Sequence, residues 1–211
     1  MIKIIKKHTL KKETLLKRVN VLGIAASPRR NANSEVLLDS ALAGARAKGA
    51  KTEKVVLNLL KIRPCQSCAK CSKTVTCYIM DDMRVLLRKL KNCDALIIAS
   101  PVYFGTVTAQ LKIMIDRCQP VWAEKYLRKK YVTKNRKGMF ISVSSHNNKR
   151  FFRNSKEVIN ILFTVLGIRL SQEMYVPCLE NKSAARNNSL LVKEALKRGQ
   201  GLIASNPPRT R

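Results

Sequence analysis

No apolar run in this chain approaches the roughly 18 residues a membrane-spanning helix needs. The start does not read as a leader peptide either. Lys3, Lys6, Lys7, Lys11 and Lys12 interrupt the apolar residues of the segment from Met1 to Arg18, and no apolar h-region follows. The expectation is an intracellular, cytoplasmic protein without a membrane span. Internal repeats are absent. Glycine is not spaced for a dinucleotide fingerprint, and no Gly-Lys-Ser/Thr forms a P-loop. Acidic residues are scarce, 13 against 42 basic ones, for a formal charge of +29. Such a surface attracts nucleotides, acidic electron-transfer proteins, nucleic acid or lipid head groups. It is equally the outcome of lysine being used wherever a surface tolerates it. The basic stretches 1–18, 125–137 and 147–156 contain no aromatic-interleaved RNA-binding motif.

What is present is enough for one core. The chain has 211 residues, 45% of them apolar, which fits a single α/β domain and leaves two domains cramped. Short buried strands alternate with longer amphipathic helices. Strands are expected over Val19–Ala25, Lys54–Leu59, Ala95–Ser100, Gly138–Ser144 and Leu170–Val176. Helices are expected over Ser34–Lys48, Asp81–Lys91, Thr108–Cys118, Lys156–Leu166 and Leu190–Ala204, with Asp81 or Asp82 as N-cap of the second. The alternation implies right-handed βαβ crossovers and a three-layer, doubly wound, five-stranded parallel sheet of the flavodoxin-like class. The domain should run from 19 to 205, with a basic extension (1–18), a cysteine loop (60–80) and a frayed tail (206–211). Ligands of such sheets bind beyond the carboxyl ends of the strands, at the switch in strand order.

After strand one come Ala26-Ser27-Pro28-Arg29-Arg30-Asn31-Ala32-Asn33-Ser34 and then a helix. Hydroxyls, amides and two guanidiniums at a helix N-terminus suit a phosphate, although an ordinary turn with a capping Ser or Asn has the same composition. After strand three come Ser100-Pro101-Val102-Tyr103-Phe104-Gly105-Thr106. Two adjacent aromatics there suit a flat ligand, and Gly105 allows close backbone approach. They serve as well to cover the sheet edge.

Seven cysteines complete the inventory. Cys93 and Cys118 lie beside apolar stretches and read as packed, reduced thiols. Cys178 is isolated. Cys65, Cys68, Cys71 and Cys77 form C-x2-C-x2-C-x5-C, which in a reducing compartment points to metal or redox chemistry before structural disulfides. Thiolates so spaced converge on one compact centre when the backbone curls around it. Ferredoxin motifs use similar repeats. Zinc prefers two separated pairs, and four bare thiols are the third possibility. Lys61, Arg63, Lys70 and Lys73 flank the loop, either to offset charge or simply as solvated surface.

The runs ASPRRNANSE, DDM, ALIIASPVYFGTVTAQLK and DR resemble the NAD(P)H-dependent FMN reductase branch of the flavodoxin superfamily, and most of all its iron–sulfur flavoprotein subgroup. The resemblance covers about residues 19–120 well and the rest by element order. It implies that Ser27, Arg29, Asn31, Asn33 and Ser34 hold the FMN phosphate. Pro101, Val102, Tyr103, Phe104 and Gly105 would line the isoalloxazine. Ser144, Ser145 and His146 would close the other side, although family members usually carry a Gly-rich stretch where this chain has Ser145-His146-Asn147-Asn148. The resemblance also implies a 4Fe–4S cluster on the four cysteines and a homodimer or homotetramer, with the helix Thr108–Cys118 and the segment around Trp122 at an interface. Trp122 serves equally well as intrachain core.

The leading functional expectation is an FMN-dependent electron-transfer oxidoreductase with ferredoxin or NAD(P)H as donor and a small-molecule or protein acceptor. No catalytic side chain is demanded, because the redox chemistry is the cofactor's. A cluster-free NAD(P)H-dependent FMN, quinone or azo reductase ranks second. A basic nucleic-acid- or membrane-surface-binding protein on the same scaffold ranks last.

Overall fold

A computed structural model describes residues 18–130 and 136–204. The tail, the basic extension apart from Arg18, and part of the 125–137 basic stretch lie outside the described residues. Five strands, β1 (Asn20–Ala25), β2 (Lys51–Val56), β3 (Ala95–Pro101), β4 (Arg136–Val143) and β5 (Ile168–Val176), form one sheet in the order β2-β1-β3-β4-β5. Every pairing is parallel, as the strand–helix alternation requires.

Among the described residues seven helices accompany the sheet: α1 (Asn33–Ala47), α2 (Lys70–Thr74), α3 (Met83–Asn92), α4 (Ala109–Asp116), α5 (Gln119–Tyr126), α6 (Lys149–Leu166) and α7 (Ser189–Ala204). Alternate strand residues feed two cores, because successive side chains point to opposite faces. Val21, Ala25, Ile97, Ala99, Met139 and Ile141 pack with α1 and α7. Leu22, Ile24, Leu96, Ile98 and Phe140 pack with α3, α4 and α6. The α1–α7 contact is backbone to backbone. A Cβ built on Gly199 would stand 1.9 Å from the Ala41 carbonyl oxygen, and one on Gly44 would stand 2.0 Å from that of Leu196.

The helix expected over 108–118 forms as α4, and a further helix that the sequence reading did not include, α5, follows it at once. α4 stops at Asp116, and α5 starts afresh with Pro120 in its first turn, where the missing N–H costs nothing. A one-turn helix, α2, lies inside the cysteine segment expected to be loop. α6 begins seven residues earlier than its apolar pattern, with Asn148 accepting from the Arg150 N–H. At the amino end of β4 the buried Arg136 donates to the carbonyls of Leu90, Lys91, Cys93 and Leu166. One cation thereby closes the carboxyl ends of α3 and α6.

Strand order reverses between β1 and β3, since α1 leaves β1 for one face and α4 leaves β3 for the other. Their loops part at the carboxyl edge and open a crevice there. Thr108, which caps α4 by accepting from the Leu111 N–H, also donates to the Ala26 carbonyl at 2.7 Å. This buried hydroxyl ties the floor of the crevice across the switch point.

Candidate functional site

A cavity of about 110 Å³ opens at the switch point. Ser27, Arg29, Asn33 and Ser34 line it from the β1 loop and the start of α1, Pro101, Val102 and Tyr103 from the β3 loop, and Ser144 and Ser145 from the β4 loop. Three segments far apart in sequence are thus brought together. Ser27, Asn33, Ser34 and Ser144 are buried. The residue before α1 is Ala32, so no side chain caps the helix. The first-turn N–H groups and the positive end of the dipole are left for another acceptor.

The two arginines divide their work. Arg30 pairs with Glu35 at 3.3 Å. Glu35 is buried in the first turn of α1 and also accepts from Lys54 at 3.0 Å and from the Asn31 N–H at 2.7 Å. Burial by itself would raise its carboxyl, but the Asn31 N–H, Lys54 and Arg30 outweigh burial and hold it below the usual range. Asn31, with φ of 55°, is exposed and outside the cavity lining. Arg29 is exposed, lines the cavity, and makes no ion pair among the described residues.

Asn33 is committed elsewhere. Its amide donates to the Asn181 carbonyl at 2.8 Å, and its oxygen accepts from the Ala185 N–H at 2.9 Å. It fastens α1 to the segment after β5, which contributes Leu179, Glu180 and Lys182 to the cavity. The Leu179 N–H bonds the Ser144 carbonyl at 2.9 Å. Sequence reasoning missed this fourth wall and Glu35. Only the acidic position opening α1 signalled the latter.

The β3 loop ends in a tight turn in which Tyr103 and Thr106 exchange backbone bonds of 2.9 and 3.1 Å. Its central residues, Phe104 and Gly105, have φ of 48° and 78°. Glycine adopts this conformation freely and phenylalanine at a cost. The Gly105 carbonyl accepts from Asn154 of α6 at 3.2 Å. Phe104 is fully exposed, so it does not cover the sheet edge. Tyr103 is part of the cavity wall, whereas Phe104 and Gly105 stand outside it. His146 is exposed, with Nδ1 2.9 Å from the Ser145 hydroxyl, and its N–H donates to Ser144 Oγ. It does not line the cavity.

The cysteine segment leaves β2 through a 3-10 turn at Leu57–Leu59. Left-handed residues at Ser67, Ala69 and Val75 curl it. Cys65, Cys68, Cys71 and Cys77 all line one cavity of about 260 Å³, which Asp116, Arg117, Gln119 and Pro120 close at the α4–α5 junction. As they stand, no three His, Cys, Asp or Glu among the described residues are close enough to hold a metal ion. Burial raises the Cys71 thiol, and the charges of Cys77, Cys65 and Cys68 raise it further.

Two carboxylates clamp the neck of this segment. Asp82 accepts from the Lys61 N–H at 2.7 Å. Asp81 accepts from the N–H groups of Arg63 and Met83 and takes a two-pronged ion pair from Arg117, at 2.7 and 3.0 Å. Against the cost of burial these partners hold Asp81 below the usual carboxylate range. Cys93 and Cys118 are buried, and burial pushes their thiols up to about 11 and about 12; they are inert core. Cys178 is exposed. Trp122 packs against Tyr126 with ring centroids 5.7 Å apart and the planes tilted by 40°, and both are partly exposed.

A five-stranded 2-1-3-4-5 parallel sheet with a hydroxyl- and arginine-lined crevice at its switch point defines a flavodoxin-like α/β protein. The family model of the NADPH-dependent FMN reductases matches residues 19–173, and the chain belongs to that family. It is 36% identical over 130 residues to an iron–sulfur flavoprotein of Methanocaldococcus jannaschii, a match covering 62% of this chain and 64% of that one. It is 34% identical over 130 residues to an iron–sulfur flavoprotein of Methanosarcina thermophila, covering 62% and 65%. The matched stretch thus spans just under two thirds of these curated relatives. Among solved structures, an NAD(P)H:quinone oxidoreductase from Methanothermobacter marburgensis superposes with a TM-score of 0.63 at 16% identity, over 88% of this chain and all of that one. That likeness concerns the fold. Among the described residues no helix is long and apolar enough to cross a membrane.

Proposed function

We propose that the protein is an FMN-dependent oxidoreductase that passes electrons between FMN at the switch-point crevice and a 4Fe–4S cluster on Cys65, Cys68, Cys71 and Cys77. The observation that carries the FMN half is the convergence of the β1, β3 and β4 loops on one cavity beside an uncapped helix N-terminus. The donor set fits a phosphate there: the hydroxyls of Ser27 and Ser34, the first-turn N–H groups of α1, and the Arg29 guanidinium. The cavity is phosphate-sized, so the ring would rest at its mouth against Pro101, Val102 and Tyr103, with Phe104 as the exposed flank. Ser144 and His146 would bound the other side. Asn33 acts by holding the β5 loop in place, and Asn31 by donating to Glu35.

Four thiols on one cavity, in a segment curled by left-handed residues, are the donor set an iron–sulfur cluster takes. Loading would draw the thiols closer than they stand. Bound FMN supplies two-electron and one-electron redox chemistry, and the cluster supplies one-electron transfer. The protein's residues bind, orient and shield these groups, and no side chain acts as acid, base or nucleophile. The net charge of +29 would steer an acidic donor such as a ferredoxin, with NAD(P)H as the alternative donor. A homodimer or homotetramer would cover Trp122, Tyr126 and Leu127, which are partly exposed.

Iron, zinc and FMN content per chain after anaerobic purification tests this reading. One FMN with about four irons, as a 4Fe–4S cluster demands, is the expected result. FMN without iron would leave the cluster-free NAD(P)H-dependent reductase. Protein that takes up no FMN would refute both.

A further inference from the structure

Among the described residues Arg117 is the largest side chain removed from solvent, 1% exposed, and it stands in the wall of the cysteine cavity. It ends α4 immediately before α5 begins, so the break between the two helices delivers it there. Two of its nitrogens are spoken for. Nη1 donates to the Arg63 carbonyl at 2.6 Å and to Asp81 at 2.7 Å, and Nη2 donates to Asp81 at 3.0 Å. The remaining nitrogen, Nε, is buried and has no hydrogen-bond partner among the described residues. A buried N–H left unmatched is destabilising, so its retention calls for an acceptor. The cavity Arg117 lines offers the sulfur of Cys77. Burial works against the guanidinium's charge, while Asp81 and Cys77 together more than restore it.

We infer that Arg117 is a positioning residue for the cysteine centre, its free Nε–H donating to the Cys77 sulfur and its buried charge offsetting that of the thiolates. The inference rests on the cluster reading above. Its physical content is that a donor aimed at a ligand sulfur withdraws electron density from it and favours the reduced centre. The guanidinium itself is fixed by Asp81 and shielded from solvent, although Cys65 and Cys68 are exposed. Arginine is required for shape as well as charge. Its planar fork holds Asp81 and the Arg63 carbonyl with two nitrogens and presents the third to the cavity, which the single ammonium of lysine cannot do.

The test uses the whole chain, loaded anaerobically, in wild-type form and as Arg117→Lys. Redox titration followed by electron paramagnetic resonance reads the cluster midpoint potential, and flavin absorbance reads the FMN couple. Arg117→Lys is expected to keep FMN and shift the cluster potential negative while the FMN couple stays in place. A wild-type cluster potential in that variant overturns the inference. The second measurement needs no variant, so failure of Arg117→Lys to fold or to load leaves the inference testable. Wild-type protein carrying arginine labelled with nitrogen-15 at Nε is expected to show a nitrogen hyperfine coupling to the reduced cluster by pulsed resonance, and absence of that coupling overturns the inference. Wild-type protein that binds no iron overturns the cluster reading itself, which is a different failure.

Discussion

Arg29 and Arg30 are neighbours of identical chemistry, and the fold assigns them opposite fates. Arg30 is bound to Glu35, whereas Arg29 borders the crevice without an ion pair among the described residues. If the crevice takes the FMN phosphate, Arg29→Ala removes a charge-assisted hydrogen bond of about 1.5–3 kcal/mol. Arg29 is exposed, and solvent screening puts its effect at the lower end. At about 1.4 kcal/mol per decade, FMN should bind roughly tenfold more weakly. Arg30→Ala leaves Lys54 and the Asn31 N–H on Glu35, so the loop should hold and the affinity should change by less than about threefold. Quenching of FMN fluorescence, titrated with flavin-free protein at low and at physiological salt, measures both. The gap between wild type and Arg29→Ala should narrow as salt rises. Wild-type affinity in Arg29→Ala, or a larger loss in Arg30→Ala, would refute the phosphate assignment.

Glu35 carries a pH signature. Its carboxyl lies lower in the folded chain than in the unfolded one, so its stabilisation is complete above the unfolded value of about 4.3 and fades as pH falls through the folded one. Glu35→Gln should flatten the acid limb of a melting-temperature profile below about pH 5; an unchanged limb would show that another carboxylate controls it. Asp81→Asn strips a buried guanidinium of its counter-ion, which should cost about 3–5 kcal/mol by denaturant unfolding. The same change at Asp116, whose pair with Lys112 is exposed, should cost about 0.3–0.5 kcal/mol. Gly199→Ala sets a methyl 1.9 Å from the Ala41 carbonyl oxygen and must separate α1 from α7. A loss of about 3 kcal/mol or more is expected, and a melting temperature equal to wild type would contradict the packing.

What could be read from the sequence alone was whatever depends on local pattern. β1, β3 and β4 are apolar because both faces are covered, so their runs stand out, and alternation with amphipathic helices determines the parallel sheet and its loaded edge. The hydroxyl-rich β1 loop, the aromatic β3 loop and the cysteine spacing are equally local. The expected β2, Lys54–Leu59, lies three residues too far along the chain: the strand is Lys51–Val56, an edge strand largely exposed and polar at its start, and the apolar Leu57–Leu59 is a 3-10 turn. The helix expected over 108–118 stops at the break, but α5 beyond it goes unread because only Pro120 and Ala123 of its eight residues are buried, too few for an apolar stripe.

The partnerships that decide what each site residue does lay beyond any pattern. Asn33 looked like a phosphate ligand but is held by Asn181 and Ala185, some 150 positions on. Glu35 claims Arg30 and so leaves Arg29 to the crevice. The loop after β5 forms a wall that carries no motif at all. Arg117 and Asp81, 36 residues apart, meet only because two helices pack beside the cysteine segment. Residue types and their order determine which chemistry is available. Which groups are buried, paired or left with a donor to spare is a property of contacts between distant segments, and only the tertiary structure decides it.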